Sequence, residues 1–341
     1  MSNFSKDKKV AAFSRLGEFF LEPDEEFENL IENTQHKNNW FKPEEVRRAF
    51  TANGKMLTEN DLNVWLSNYN IENHTAKKIG LILAGNIPLV GFHDILTVLM
   101  SGNIALIKLS SNDDLLIPTV LKRLIKIEPQ FQNQIEFVER LENFDAVIAT
   151  GSNNSSRYFD YYFSKVPNII RKNRNSIALL TGEESSEELK HLGEDIFNYY
   201  GLGCRNISKL FVPKGYILNH FFESIEEFSP ILNHHKYQNN YDYNKSIYLV
   251  NRNEHLDNGF LLATKNDGLT SPLAVIYYEE YENLDSAIEK INSLADEIQV
   301  VVSNIKEEII PAKVSFGESQ TPKLWDYADG VDTMLFLSKL S

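Results

Sequence analysis

Cysteine is nearly absent from this chain: Cys204 is the only one in 341 residues. An internal disulfide is therefore excluded. A structural zinc site, which usually takes two or more thiolates, is excluded as well. Basic charge is also in short supply. Lys and Arg number 34 against 48 Asp and Glu, a net charge of −14. That balance argues against nonspecific binding to nucleic acid or to an anionic membrane surface. Residues 1–9 lack the apolar centre of a signal peptide. The longest apolar region, 79–100, is broken by Asn86, Pro88, His93 and Asp94, so no membrane span is expected. The cytoplasm is the expected compartment. Two nucleotide fingerprints are missing too: neither Gly-x-Gly-x-x-Gly nor Gly-x-x-x-x-Gly-Lys-Ser/Thr occurs.

What is present reads as a soluble α/β protein, 42% hydrophobic and 24% charged. The first 75 residues pattern as helices. Phe13, Leu16, Phe19 and Phe20 share a helical face, Pro43 opens a helix ahead of Glu44 and Glu45, and Thr58 caps another with Asp61 three residues on. The stretch 69–75 reads as a loop. From Lys78 short apolar runs alternate with helical stretches. Strands are expected at 79–84, 104–108, 135–138 and 146–149, with helices at 89–100 and 115–127. A second series follows: strands at 176–180, 210–212, 247–250, 273–278 and 298–302, and helices at 186–200, 218–228 and 284–295. The Asn- and Tyr-rich stretch 238–244 reads as a surface loop. The expected division is a helical segment (1–75), a Rossmann-like cofactor domain (76–175), a catalytic domain (176–312) and a C-terminal tail (313–341). That tail is expected to pack on the cofactor domain or on a partner subunit.

Three segments lie at or beside strands of the first α/β domain: Ala84-Gly-Asn-Ile-Pro88, Ser101-Gly-Asn-Ile-Ala-Leu-Ile-Lys108 with Ser111, and Ala149-Thr-Gly-Ser152. Ligands of open α/β sheets bind beyond the carboxyl ends of the strands. Cys204 follows two glycines, Gly201 and Gly203, and precedes a strand-like run. It is either a small core residue or a nucleophile, since thiolates attack thioester carbonyls well.

In order, these pieces resemble the aldehyde dehydrogenase superfamily. Asn86-Ile-Pro88 resembles its Trp-Asn-x-Pro segment, with Gly85 in place of Trp. Ser101-Gly102-Asn103 with Lys108 resembles its Gly-Asn-x4-Lys strand, and Thr150-Gly151-Ser152 its Phe-Thr-Gly-Ser loop. Gly201-x-x-Cys204-x-x-x-Ser208-Lys209 resembles its nucleophile segment. Within the superfamily the chain is most similar to the fatty acyl-CoA reductase (LuxC-like) family. The shared runs are Ala-Gly-Asn-Ile-Pro, Gly-Cys-Arg-Asn-Ile-Ser-Lys-Leu and Asp326-Tyr-Ala-Asp-Gly-Val-Asp332.

The resemblance implies roles. Cys204 is the implied nucleophile, and Asn86 an implied oxyanion donor together with the Cys204 backbone N–H. Lys108 is implied to bind the adenosine ribose, Gly151 and Ser152 to lie near the cofactor pyrophosphate, and Ser111 and Thr150 to belong to the same cofactor site. Aldehyde-oxidising members carry a general-base Glu where this chain reads Ile169-Ile-Arg-Lys-Asn173. Its absence suits acyl exchange with a thiol rather than hydrolysis. NAD-preferring members often place Glu where this chain has Ser111, which tilts the cofactor toward NADPH, with NADH as the alternative. Asp267 is out of step with the superfamily's ribose-binding Glu. The reaction implied is NADPH-dependent reduction of an acyl-CoA to the aldehyde, by a homo-oligomer, a dimer. The alternatives are a short-chain acylating aldehyde dehydrogenase, an acyl-phosphate reductase, or a non-catalytic nucleotide-binding protein of the same fold. His93 reads as a structural or a surface residue. Arg171, Lys172 and Arg174 are either a phosphate contact or a solvated cluster.

Overall fold

The structure is a computed structural model, and it describes residues 4–71 and 75–340. Residues 72–74 of the expected 69–75 loop lie outside the described residues. The chain forms two compact units, one from residues 1–173 and 321–341, the other from 174–320.

The first unit opens with four helices, α1 (Lys6–Leu21), α2 (Glu25–Thr34), α3 (Pro43–Met56) and α4 (Glu59–Leu66). Their starts follow local chemistry. Ser5, Asp24 and Thr58 each accept a hydrogen bond from a first-turn backbone N–H, and Pro43 sits in the first turn of α3. Phe13, Phe20, Phe27 and Phe50 are buried with residues of the sheet in one apolar core, so the helices and the sheet fold as one body.

That sheet contains β1 (Lys78–Ile82), β2 (Ile104–Lys108), β3 (Ile135–Phe137), β4 (Ala146–Thr150) and β5 (Asn168–Arg171). All pairings are parallel, in the order β3-β2-β1-β4-β5. Helices α5 (Phe92–Met100), α6 (Leu116–Ile127) and α7 (Asn153–Phe163) connect them. Strand order reverses between β1 and β4, which is the switch point where open α/β sheets bind ligands. The helix expected from Leu89 starts only at Phe92, because Leu89 itself has φ +57°.

The C-terminal segment returns to this unit and ends in α12 (Thr333–Ser338). The late motif is the latch. Trp65 Nε1 donates to Tyr327 Oη at 2.6 Å, and Tyr69 Oη donates to Asp332 Oδ2 at 2.8 Å. The two tyrosine hydroxyls lie 2.9 Å apart. His93 Nε2 meets the Leu324 carbonyl at 2.9 Å, its ring near those of Trp65 and Tyr327. Of its two expected roles, these contacts give it the structural one.

The second unit has a seven-stranded sheet, β12-β11-β6-β7-β10-β9-β8. Its strands are β6 (Asn175–Leu179), β7 (Ile207–Pro213), β8 (Leu256–Asp257), β9 (Leu262–Lys265), β10 (Val275–Tyr281), β11 (Ile298–Val302) and β12 (Lys313–Val314). Only the β8–β9 pair is antiparallel. Its helices are α8 (Ser186–Phe197), α9 (Asn219–Ser224), α10 (His235–Asn251) and α11 (Leu284–Ser293).

Two expectations fail on α10. Residues 238–244 are not a loop and 247–250 are not a strand; both lie in this helix. Tyr237, Tyr241, Asn244 and Tyr248 recur at helical spacing and form its buried face. Their polar ends are satisfied: Tyr237 Oη donates to Phe260 O, Tyr241 Oη to Asp257 Oδ1 and Asn244 Nδ2 to Leu273 O. Leu249 and Val250, which read as strand residues, are exposed in its last turn.

Candidate functional site

In the first unit, every sequence-nominated residue falls at the carboxyl edge of the parallel sheet. Asn86 follows β1 and is exposed; Lys108 ends β2 and is exposed; Ser111 is exposed in the turn beyond it. Thr150 ends β4, Gly151 follows, and Ser152 is the N-cap of α7, its Oγ accepting the Ser155 N–H at 3.2 Å. β1, β2 and β4 are adjacent, so these three loops flank the switch point.

The loops after β1 and β2 are locked to each other. A Cβ on Gly85 would lie 2.5 Å from Ser110 Oγ and 2.7 Å from Ser110 Cβ. No side chain fits there, and a Trp-sized one least of all. Asp113, buried, accepts the Leu89 N–H at 3.0 Å through Oδ2. That bond holds the left-handed Leu89 and hence the Asn86–Pro88 turn before it. Burial pushes the Asp113 carboxyl up to about 6. Nothing in the sequence singled out Asp113, because its partner is a backbone amide 24 positions away in the chain.

The basic cluster divides. Arg171 is buried at the end of β5, ion-paired with Asp94 of α5 and donating to Thr333 Oγ1 at 2.9 Å. Arg174 reaches the Ala295 and Ile298 carbonyls at 3.4 Å. Lys172 is exposed, 3.8 Å from Asp160. Arg171 is therefore neither a solvated cation nor an open phosphate ligand. The segment 169–173 carries no carboxylate, and Ile169 and Arg171 are both buried.

In the second unit Cys204 is exposed, in the connection between α8 and β7. The reading of Cys204 as a buried core residue is thereby overturned. Helix α8 ends at Phe197 rather than continuing to Tyr200. The chain then passes through three consecutive left-handed residues: Tyr199 at φ +54°, Tyr200 at +57° and Gly201 at +76°. Left-handed backbone costs a non-glycine residue roughly 1–2 kcal/mol. Burial of both tyrosine rings offsets this, with Tyr200 packed on His234 at a centroid distance of 4.3 Å.

A four-residue turn follows, closed by Asn206 N–H donating to the Gly203 carbonyl at 3.0 Å. Cys204 occupies its second position. The Cys204 carbonyl accepts from Ser176 Oγ at 2.9 Å, which ties the turn to the amino end of β6. Lys209, on β7, is buried and bonded to Glu279 at 2.6 Å and to the Asp267 carbonyl at 2.8 Å. Burial lowers its pKa against the opposing pull of Glu279. Among the described residues no cluster of His, Cys, Asp and Glu is arranged to hold a metal ion.

Residues 65–232, the stretch that holds Asn86, Lys108 and Cys204, match the family described as Acyl-CoA reductase (LuxC). Over that stretch, about half of its length, the chain is similar to the LuxC acyl-CoA reductases. The match supports oxidoreductase chemistry on an aldehyde or acyl group.

Solved structures agree on the fold. Aldehyde dehydrogenase 21 from Physcomitrella patens, in complex with succinate, superposes with a TM-score of 0.71 at 11% identity, covering 100% of this chain and 85% of that one. An AldC variant from Pseudomonas syringae, bound to NAD+ and octanal, gives 0.60 at 12%, covering 88% and 73%. An NADP-dependent enzyme from E. coli gives 0.64 at 12%, covering 92% and 78%. At these identities the likeness shows the fold alone. No curated protein sequence matches the chain. No helix among the described residues is long and apolar enough to cross a membrane.

Proposed function

We propose that this chain is an NADPH-dependent acyl-CoA reductase that works through an acyl thioester on Cys204. The observation that carries the reading is the placement of the chain's only thiol. It is exposed on a tied-down turn, inside the segment that matches the acyl-CoA reductase family.

The cofactor residues fit an anionic dinucleotide in kind. Lys108 is an exposed cation, Ser111 is small and neutral, and α7 has no acidic residue in its first turn beside Ser152. Lys108 and Ser111 would hold the adenosine ribose and its 2′-phosphate. Thr150, Gly151 and Ser152 would lie at the pyrophosphate. NADPH, when bound, supplies the hydride that takes the acyl group to the aldehyde.

The protein's own part is acyl transfer. The Cys204 thiolate attacks the thioester carbonyl, the C–S bond to CoA breaks, and CoA leaves as the thiol after gaining a proton. Asn86 and the Cys204 backbone N–H would meet the oxyanion, an effect often worth about 3–4 kcal/mol per donor. With no carboxylate at 169–173, water is not activated and the acyl group waits on the sulfur.

Mass spectrometry of the intact protein tests this. Acyl-CoA alone should add one acyl group to the wild type and release CoA as a burst of about one per active site. NADPH should then discharge the acyl group as aldehyde. Cys204→Ala should show neither event and still bind NADPH. Steady release of free acid without NADPH would instead identify a hydrolase. A series of acyl-CoAs from acetyl to palmitoyl sets the chain length.

A further inference from the structure

Asn206 stands two residues beyond the thiol, and its buried side chain makes four contacts. Oδ1 accepts the Gly203 N–H at 2.8 Å. Nδ2 points at three carbonyls where α8 ends: Asp195 at 3.0 Å, Ile196 at 3.3 Å and Asn198 at 2.8 Å. Because the chain leaves α8 through a left-handed turn, these end carbonyls cannot be met by a further helical turn. One amide supplies the missing donor and, through its other end, grips the backbone just before Cys204.

We infer that Asn206 is the positioning residue for the nucleophile, fixing the Cys204 turn against the end of α8. Main chain and side chain of Asn206 both close on Gly203, so residues 203–206 form a doubly bonded ring with Cys204 at its outer side. Only a side chain with an acceptor and a donor about one amide apart can do this. Aspartate keeps the acceptor but turns an oxygen toward three carbonyl oxygens. Alanine loses both ends and leaves buried backbone groups without their partner. A nucleophile held loosely loses rate steeply, since a misplacement of about 1 Å can cost roughly 100-fold. The inference rests on Cys204 being the nucleophile.

The test compares wild type, Asn206→Asp and Asn206→Ala, well below their melting temperatures. Three quantities are read: the rate of Cys204 alkylation by iodoacetamide, the single-turnover rate of acylation by acyl-CoA, and the Kd for NADPH. The expected result is acylation slowed roughly 10- to 100-fold, an altered alkylation rate, and an NADPH Kd within about twofold of wild type, since the proposed cofactor residues lie in the other unit. Tyr241→Phe, which breaks a bond to Asp257 in the same unit, serves as the comparison for general destabilisation. It should lower the melting temperature and leave both thiol rates alone. If the two Asn206 variants lose only melting temperature and acylate at the wild-type rate, the residue is merely structural and the inference is overturned. If wild type itself is not acylated on Cys204, the catalytic reading fails instead. The alkylation rates then still decide whether Asn206 orients the thiol. Should Asn206→Asp not fold, Asn206→Ala is the readout.

Discussion

Arg171→Met separates two roles for the basic residues at the end of β5, and the structure sets the size of the effect. The guanidinium is buried, paired with a buried Asp94, and bonded to Thr333 of the returning C-terminal segment. Removing it strands the Asp94 carboxylate in the core. Breaking one partner of a buried pair typically costs about 3–5 kcal/mol. For a body the size of the first unit, each kcal/mol moves Tm by roughly 2–4 °C, so Tm should fall by roughly 6–20 °C. The double variant Asp94→Leu/Arg171→Met should recover most of that loss, because two apolar side chains replace the pair and no charge is left alone. The assay is thermal unfolding followed by circular dichroism, with NADPH and CoA titrations at 15 °C alongside. The folded single variant should bind both ligands within about threefold of wild type. A variant that keeps the wild-type Tm but loses tenfold in affinity for either ligand would falsify the structural role. Arg171 would then be a phosphate contact.

The other expectations concern the cofactor and pH. Ser111→Glu places a carboxylate beyond β2 and should weaken NADPH at least tenfold by repelling the 2′-phosphate. NADH should stay within about twofold; equal losses for both cofactors would remove Ser111 from the pocket. Asp113 and Asp195 are both pushed by burial from an ordinary 3.8 up to about 6. Their folded-state pKa lies above the unfolded one, so the native state takes up protons between these values. The stability each contributes is full below about 3.8 and is lost as pH rises through 6. Between pH 5 and 7 the loss is about 1 kcal/mol per group. Urea midpoints across that range should fall with pH, and Asp113→Asn should remove about half of the slope. An unchanged slope in the variant would show that Asp113 does not titrate there.

Local sequence carried much of this protein. The α/β rhythm, the N-cap at Thr58, the Pro43 helix start, and the parallel strands β1, β2 and β4 follow from periodicity and side-chain chemistry that act within a few residues. The strand ends also announced the three loops around the switch point, because strand order and direction bring them to one edge. Composition alone excluded a disulfide. What the tertiary structure decided is where long-range partners lie. It turned Arg171 from a phosphate candidate into a buried ion pair, since Asp94 is 77 positions away. It made 238–250 a helix, since its tyrosine face is stabilised only when Phe260, Asp257 and Leu273 pack against it. It exposed Cys204 and set Asn206 on the end of α8, because the left-handed residues 199–201 between that helix and Cys204 fold the chain back on itself. Burial and hydrogen-bond partners of this kind belong to the packed chain, and no window of neighbouring residues contains them.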